Sequence, residues 1–192
     1  MLSVRKIKTL QEAKHFTALF KLHSGHEIPA TYFWKNNTYI IENKKGIVAG
    51  FSFIIESKKR VIEQIPHGAV GQDDIMFYSK HSQELTGLFY SKENRTIFAP
   101  IYYSYKILTA PTKLFVLSYD SNNAKLAKHY SKAKPFLIYS GIVRNLEGMT
   151  GKHFEDVVTM TKIGFIVFLI NRFFGKLLNG NYTRKKSDKR GL

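Results

Sequence analysis

The sequence predicts an α/β fold with at least one crossover, and three observations carry that expectation. Between Glu84 and Val143 the chain reads strand, loop, helix, strand, helix, strand, and segments alternating in this way build a sheet covered by helices. Upstream, two β-branched and aromatic runs, TYIIEN and GIVAGFSFII, are split by Asn43-Lys44-Lys45-Gly46 and read as a hairpin. The run KLFVLSY (113–119) is nearly continuously apolar, as in a buried strand.

In chain order, VRKI (4–7) is a short strand. The segment TLQEAKHFTALFKLHSG places Leu10, Ala13, Phe16, Leu19 and Phe20 at helical spacing. Thr9 and Glu12 have the spacing of a capping box, and Gly25 stands near the stop. After the hairpin, residues 57–83 carry no clear period, and Pro66, Gly68 and Gly71 require loop in part. LTGLFYS (85–91) reads as a strand. FAPIYYSYKIL (98–108) reads as a helix with Pro100 in its first turn. Asp120-Ser121-Asn122 supplies cap residues for a helix from about Asn123 to Lys132. FLIYSGIV and HFEDVVTMTK (153–162) are further strands.

The last element, GFIVFLINRFFGKLLNG (164–180), is strongly apolar. Its uninterrupted apolar run, Ile163 to Ile170, is eight residues long, well short of the roughly 20 needed to cross a bilayer. It reads as a helix packed on the core, or as an interfacial helix whose basic flank meets lipid headgroups. No repeat or low-complexity linker divides the chain, so residues 1–180 are expected to form one domain and residues 181–192 a basic flexible tail.

The 192 residues are 44% hydrophobic and 14% aromatic, enough for a real core. There are no cysteines, which excludes disulfides and thiolate metal sites. The opening MLSVRKIKTLQEAKHF has no apolar core of a secretory signal, so a cytoplasmic protein is expected, with peripheral membrane contact through residues 163–190 as an option. Lys+Arg minus Asp+Glu is 30 − 14 = +16. Such a balance speaks to partners and not to fold. Nucleic acid, anionic lipid, an acidic protein and a polyphosphate cofactor all suit it, as does a merely Lys-rich solvated surface.

Seven histidines stand at positions 15, 23, 26, 67, 81, 129 and 153. No closely spaced His/Asp/Glu set marks a zinc site, so no metal is expected. No G-x-S-x-G elbow, P-loop or dinucleotide fingerprint is present.

The segment NNAKLAKHYSKAKPF, with Asn123, Ala127 and Tyr130 and then Phe136, resembles the donor-side helix of the GNAT acyltransferase superfamily. FEDVVTMTK resembles that superfamily's terminal strand. The order of elements resembles it over nearly the whole chain. The resemblance implies a central mixed sheet flanked by helices, here with an extra apolar C-terminal helix. It implies acyl transfer from acyl-CoA or acetyl-CoA to an amine acceptor. Backbone groups of Leu88, Phe89 and Tyr90 would pair with the pantetheine arm, and Asn123 would hydrogen-bond it. Tyr130 would protonate the leaving thiolate, and Glu84 would take the amine proton.

The superfamily's basic, glycine-rich pyrophosphate turn corresponds here to SKENRTIFAP, which has Arg95 but no glycine. Three arrangements stay open. Lys92, Arg95 and Thr96 bind coenzyme A in a modified way; or the donor is an acidic acyl carrier protein, as in GNAT-like synthases of acylated amino acids; or the fold has kept binding and lost catalysis. His67 or His81 could replace Glu84 as base. His26 invites comparison with the histidine of toxin-activating lysine acyltransferases, whose surrounding spacing differs. Some phage DNA-modifying and tRNA-acetylating enzymes are GNAT-like too. For a nucleic-acid acceptor, Trp34, Tyr102, Tyr103 and Tyr105 would be available for stacking.

Overall fold

The computed structural model describes residues 2–54, 58–91 and 98–171. Seven strands form one mixed sheet: β1 (Ser3–Lys6), β2 (Asn37–Asn43), β3 (Gly46–Ile54), β4 (Ser82–Tyr90), β5 (Leu114–Asp120), β6 (Phe136–Val143) and β7 (His153–Thr161), in the order β1-β2-β3-β4-β5-β7-β6. All neighbours run antiparallel except β4 and β5. That parallel pair needs the crossover expected from the alternating pattern, and α5 (Phe98–Thr109) supplies it.

The first helix, α1 (Leu10–Ser24), has the capping box its sequence predicts. Glu12 N–H donates to Thr9 Oγ1 at 3.2 Å, and Thr9 N–H donates to Glu12 Oε2 at 3.3 Å. Gly25 ends the helix in the left-handed region, φ 78°, where a side chain would be strained. Helix α1 buries Ala13, Phe16 and Phe20 against Ile40 and Phe89 of the sheet, together with Phe33 of α2 (Ala30–Lys35). The one-turn α3 (Arg60–Glu63) adds Val61 and Ile62 to the same face, against Val116 and Val157. The unassigned stretch 57–83 therefore resolves into α3, a loop and α4 (Gln72–His81), while Ile55, Glu56 and Ser57 lie outside the described residues. Helix α2 had no sequence signal, since six residues span too little of a helical period.

The opposite face is covered by α5, by α6 (Ala124–Ser131) and by helical residues 162–171. Tyr103, Ile107, Tyr130, Phe165, Phe168 and Leu169 meet Phe51, Phe53, Phe115, Leu117 and Met160 there. Lys162 begins this helix and does not end β7; its Nζ donates to Leu108 O at 2.8 Å and Ala110 O at 2.6 Å, satisfying carbonyls at the end of α5. Residues 172–192, including the expected basic tail and the rest of the apolar element, lie outside the described residues. Among the described residues, no helix is long and apolar enough to cross a membrane.

One irregularity decides the geometry of β4. Ser52 pairs with Thr86 and Gly50 with Phe89, so β4 spends an extra residue there. Gly87, φ 65°, takes up this bulge. The extra residue reverses the alternation of faces. Glu84 and Phe89, an odd number of positions apart, consequently both face the α1–α3 side.

Candidate functional site

The parallel pairing of β4 with β5 is short. Ser82 pairs with Leu114, Gln83 with Phe115 and Glu84 with Val116. Beyond those pairs the ladder between the two strands stops, although β4 continues to Tyr90 and β5 to Asp120. A wedge thus opens in the middle of the sheet, with Glu84 and Val116 at its apex.

The β4 arm of this wedge carries Leu88, Phe89 and Tyr90. Ser91 N–H donates to Val48 O at 2.8 Å, and Tyr90 stands opposite Ala49. Alternation in an antiparallel ladder therefore turns the Tyr90 peptide away from β3, toward the wedge. Phe89 buries its ring edge-on against Phe16, centroids 5.3 Å apart. Its carbonyl accepts the Tyr103 hydroxyl at 3.0 Å. Tyr103 is 1% exposed, and burial pushes its phenol well above the ordinary range. This corrects the expectation that Tyr103 could stack on a nucleobase. Tyr105 and Trp34 are exposed, while Tyr102 is partly buried against the core.

Glu84 is 1% exposed. Its Oε2 accepts the Val61 N–H of α3 at 3.1 Å, and the carboxylate also hydrogen-bonds the Tyr32 hydroxyl of α2. Tyr32 in turn accepts from Arg60 N–H at 3.3 Å. Burial pushes the Glu84 carboxyl up to about 7, against the pull of these donors and of the Arg60 charge. Burial together with the Glu84 charge raises Tyr32. Lys59, whose Nζ donates to Ser79 O, and Arg60, which donates to Glu147 O, are both lowered by burial. Sequence reasoning missed Tyr32, Lys59 and Arg60, because nothing local shows that α2 and α3 converge on one carboxylate.

Tyr130 lies on the other side of the sheet, its ring sandwiched between Tyr119 and Phe168 with both centroid separations 4.3 Å. It is 7% exposed. Tyr119, on the β5 arm, is raised by burial and by its hydrogen bond to Asp156. Asn123 is the N-cap of α6, with Oδ1 accepting Leu126 N–H at 3.1 Å. Its amide nitrogen keeps two N–H donors beyond that bond. Lys92, Arg95 and Thr96, singled out for pyrophosphate, lie outside the described residues.

His67 and His81 do not reach the apex. His67 Nε2 meets the Arg144 guanidinium at 2.7 Å in an exposed contact. His81 packs at a tilt against Phe77 at the end of α4, ring centroids 4.8 Å apart, and lines a cleft of about 510 Å³ with Ser82 and Leu114, at the zipped end of the strand pair. A second cleft, about 400 Å³ and lined by Ile101, Tyr105, Leu108, Ile166 and Ile170, lies between α5 and the final helix. A separate group, His26, His153 and Glu155, gathers on the α1–α3 side beyond the wedge, with its ligand atoms all within 4.8 Å of one another.

No protein-family model matches the sequence, and no curated protein matches it. Solved structures do. An N-acyl amino acid synthase, FeeM, from uncultured soil microbes superposes with a TM-score of 0.59 at 11% identity, over 84% of this chain and 91% of that one. The ribosomal-protein-S18-alanine N-acetyltransferase of Escherichia coli gives 0.54 at 9% identity, over 84% and 94%. An N-acetyltransferase of Staphylococcus aureus gives 0.52 at 13% identity, over 85% and 99%. At such identities the likeness is one of fold. The seven-stranded mixed sheet with its single parallel pair thus has a GNAT-type fold, carried here at 9–13% identity to these enzymes.

Proposed function

We propose that the protein is an N-acyltransferase that takes an acyl group from a phosphopantetheine thioester and delivers it to an amine. The carrying observation is the wedge that opens directly past Glu84, with a buried carboxylate poised near neutrality at its apex. In this reading the pantetheine arm lies along Leu88–Tyr90 as an added strand, held by the outward-turned Tyr90 peptide and by the Asn123 amide donors. The amine approaches from the α1–α3 side. Its nitrogen attacks the thioester carbonyl carbon while Glu84 accepts the departing proton. The C–S bond then breaks, and Tyr130 gives its proton to the thiolate. A carboxylate with a pKa near the working pH suits the first transfer, and a phenol that keeps its proton at neutral pH suits the second.

Two donors share the thioester chemistry. Acyl-CoA needs a pyrophosphate site, which would fall to Lys92, Arg95 and Thr96. An acyl carrier protein brings the same arm on an acidic surface, and a chain of net charge +16 favours that encounter. Release of free thiol from acyl-CoA and from acyl carrier protein, each with a panel of amines, tests both. Amine-dependent release that Glu84→Gln suppresses supports the proposal. No binding of either donor to the folded chain overturns it.

A further inference from the structure

We propose that His26, His153 and Glu155 form a binding site for a divalent transition ion of the zinc class. The three residues come from distant parts of the sequence. His26 follows the left-handed Gly25 that ends α1; His153 and Glu155 open β7. Their ligand atoms lie within 4.8 Å of one another, and the two imidazole centroids are 6.1 Å apart. Two imidazoles and a carboxylate are a donor set that zinc accepts, with a fourth position left for water or a ligand. An ion about 2.1 Å from each donor requires them roughly 3.4 Å apart, so the set, whose ligand atoms lie within 4.8 Å of one another, would close by up to about 1.4 Å on binding.

The surroundings already hold these groups as ligands are held. His153 Nε2 donates to Thr150 O at 2.8 Å. That bond fixes the tautomer and leaves the Nδ1 lone pair for an ion. Glu155 is 4% exposed, and Gln64 Nε2 donates to its Oε2 at 2.7 Å. Among the described residues no lysine or arginine forms an ion pair with it. A buried carboxylate beside two imidazoles gains from positive charge placed between them, and a bound cation would supply it.

The site also has a definite place relative to the wedge. Glu155 pairs with Asp120, and Val116 of the apex lies four positions earlier on β5, so the ion would sit about 13 Å along that strand from Glu84. It would fasten the loop after α1 onto β7 on the side from which an amine is proposed to approach. The metal site itself stands whether or not the chain transfers acyl groups.

The test uses the full chain without an affinity tag, stripped by chelator and titrated with Co²⁺. One ion per chain, with the intense visible bands of four-coordinate cobalt, displacement by Zn²⁺ and a higher melting temperature, is the expected result. His26→Ala and Glu155→Gln should each weaken binding by roughly 100-fold or more, and Gln64→Ala by about 10–100-fold. His15→Ala, an exposed histidine of α1, serves as the control and should change nothing. His26→Ala removes a loop side chain, so it decides the matter even where Glu155→Gln fails to fold. Absence of uptake, or uptake that His26→Ala leaves at the control value, overturns the proposal.

Discussion

Glu84 and Val116 are the last residues that join β4 to β5, and Glu84 is also the point to which α2 and α3 are tied. A carboxylate in that place affects the fold and the proposed chemistry together. It fixes two short helices that have little core of their own, and it marks where the sheet parts.

Glu84→Gln should stabilise the protein above neutrality and disable it. Burial raises the folded-state carboxyl from an ordinary 4.5 to about 7. Between those values the folded chain holds a proton that the unfolded chain has released. Stability therefore falls as pH rises from about 4.5 to about 7 and levels off above, by on the order of 3 kcal/mol. Glutamine keeps an acceptor for Val61 N–H and carries no charge. Melting curves of the variant should match the wild type near pH 4 and lie above it at pH 8. Turnover should drop by about 100-fold or more. Identical melting profiles across that range would remove Glu84 as the titrating group.

Tyr130 calls for two substitutions, because its ring and its hydroxyl act separately. Phenylalanine retains the stack between Tyr119 and Phe168. Tyr130→Phe should keep the fold and the ring stack and lower kcat strongly, with donor affinity preserved. Tyr130→Ala removes the ring from a buried stack and should cost about 3–5 kcal/mol. Unchanged turnover in the phenylalanine variant would take the phenol out of the mechanism.

The parts that could be read from sequence are those governed by local rules. The Thr9–Glu12 capping box, the hairpin around Asn43–Gly46 and the strand–helix alternation after Glu84 each depend on neighbouring residues, and each stands where its pattern places it. Glu84 and the β4 arm are named from sequence only through the resemblance. Their surroundings could not be named from it. Tyr32, Lys59 and Arg60 reach Glu84 from elements too short to show a period, and His26 meets His153 only after the sheet has formed. The bulge at Gly87 also hides from period-two reading, because it reverses which residues face which side.

Asn123→Asp distinguishes capping from donor contact. Aspartate caps a helix as well as asparagine does, so the bond from Leu126 N–H should persist and stability should hold. The two amide N–H donors are lost, and donor affinity should weaken by about tenfold. Asn123→Ala should lose about 1 kcal/mol of stability in addition. Equal donor affinity in all three proteins, measured by calorimetric titration, would confine Asn123 to its cap.

Gly87→Ala should close or distort the wedge. The residue sits at φ 65°, where a side chain is strained, and an added Cβ would come 2.8 Å from Phe33 Cε1 and 3.0 Å from Phe16 Cε1. Those rings belong to the tightly packed α1–α2 side, with Phe16 and Phe33 only 4.7 Å apart between centroids, so neither has room to yield. The variant should lose about 1–3 kcal/mol from strain and overpacking. If the chain relieves the clash by removing the bulge, the alternation beyond Thr86 reverts and Phe89 turns toward the α5 side. The Tyr90 peptide then no longer faces the wedge. Donor affinity should fall more than the stability loss explains, which thermal melting and donor titration on the folded fraction would measure together. A variant that is destabilised yet binds donor as the wild type does would show that the arm does not depend on this bulge.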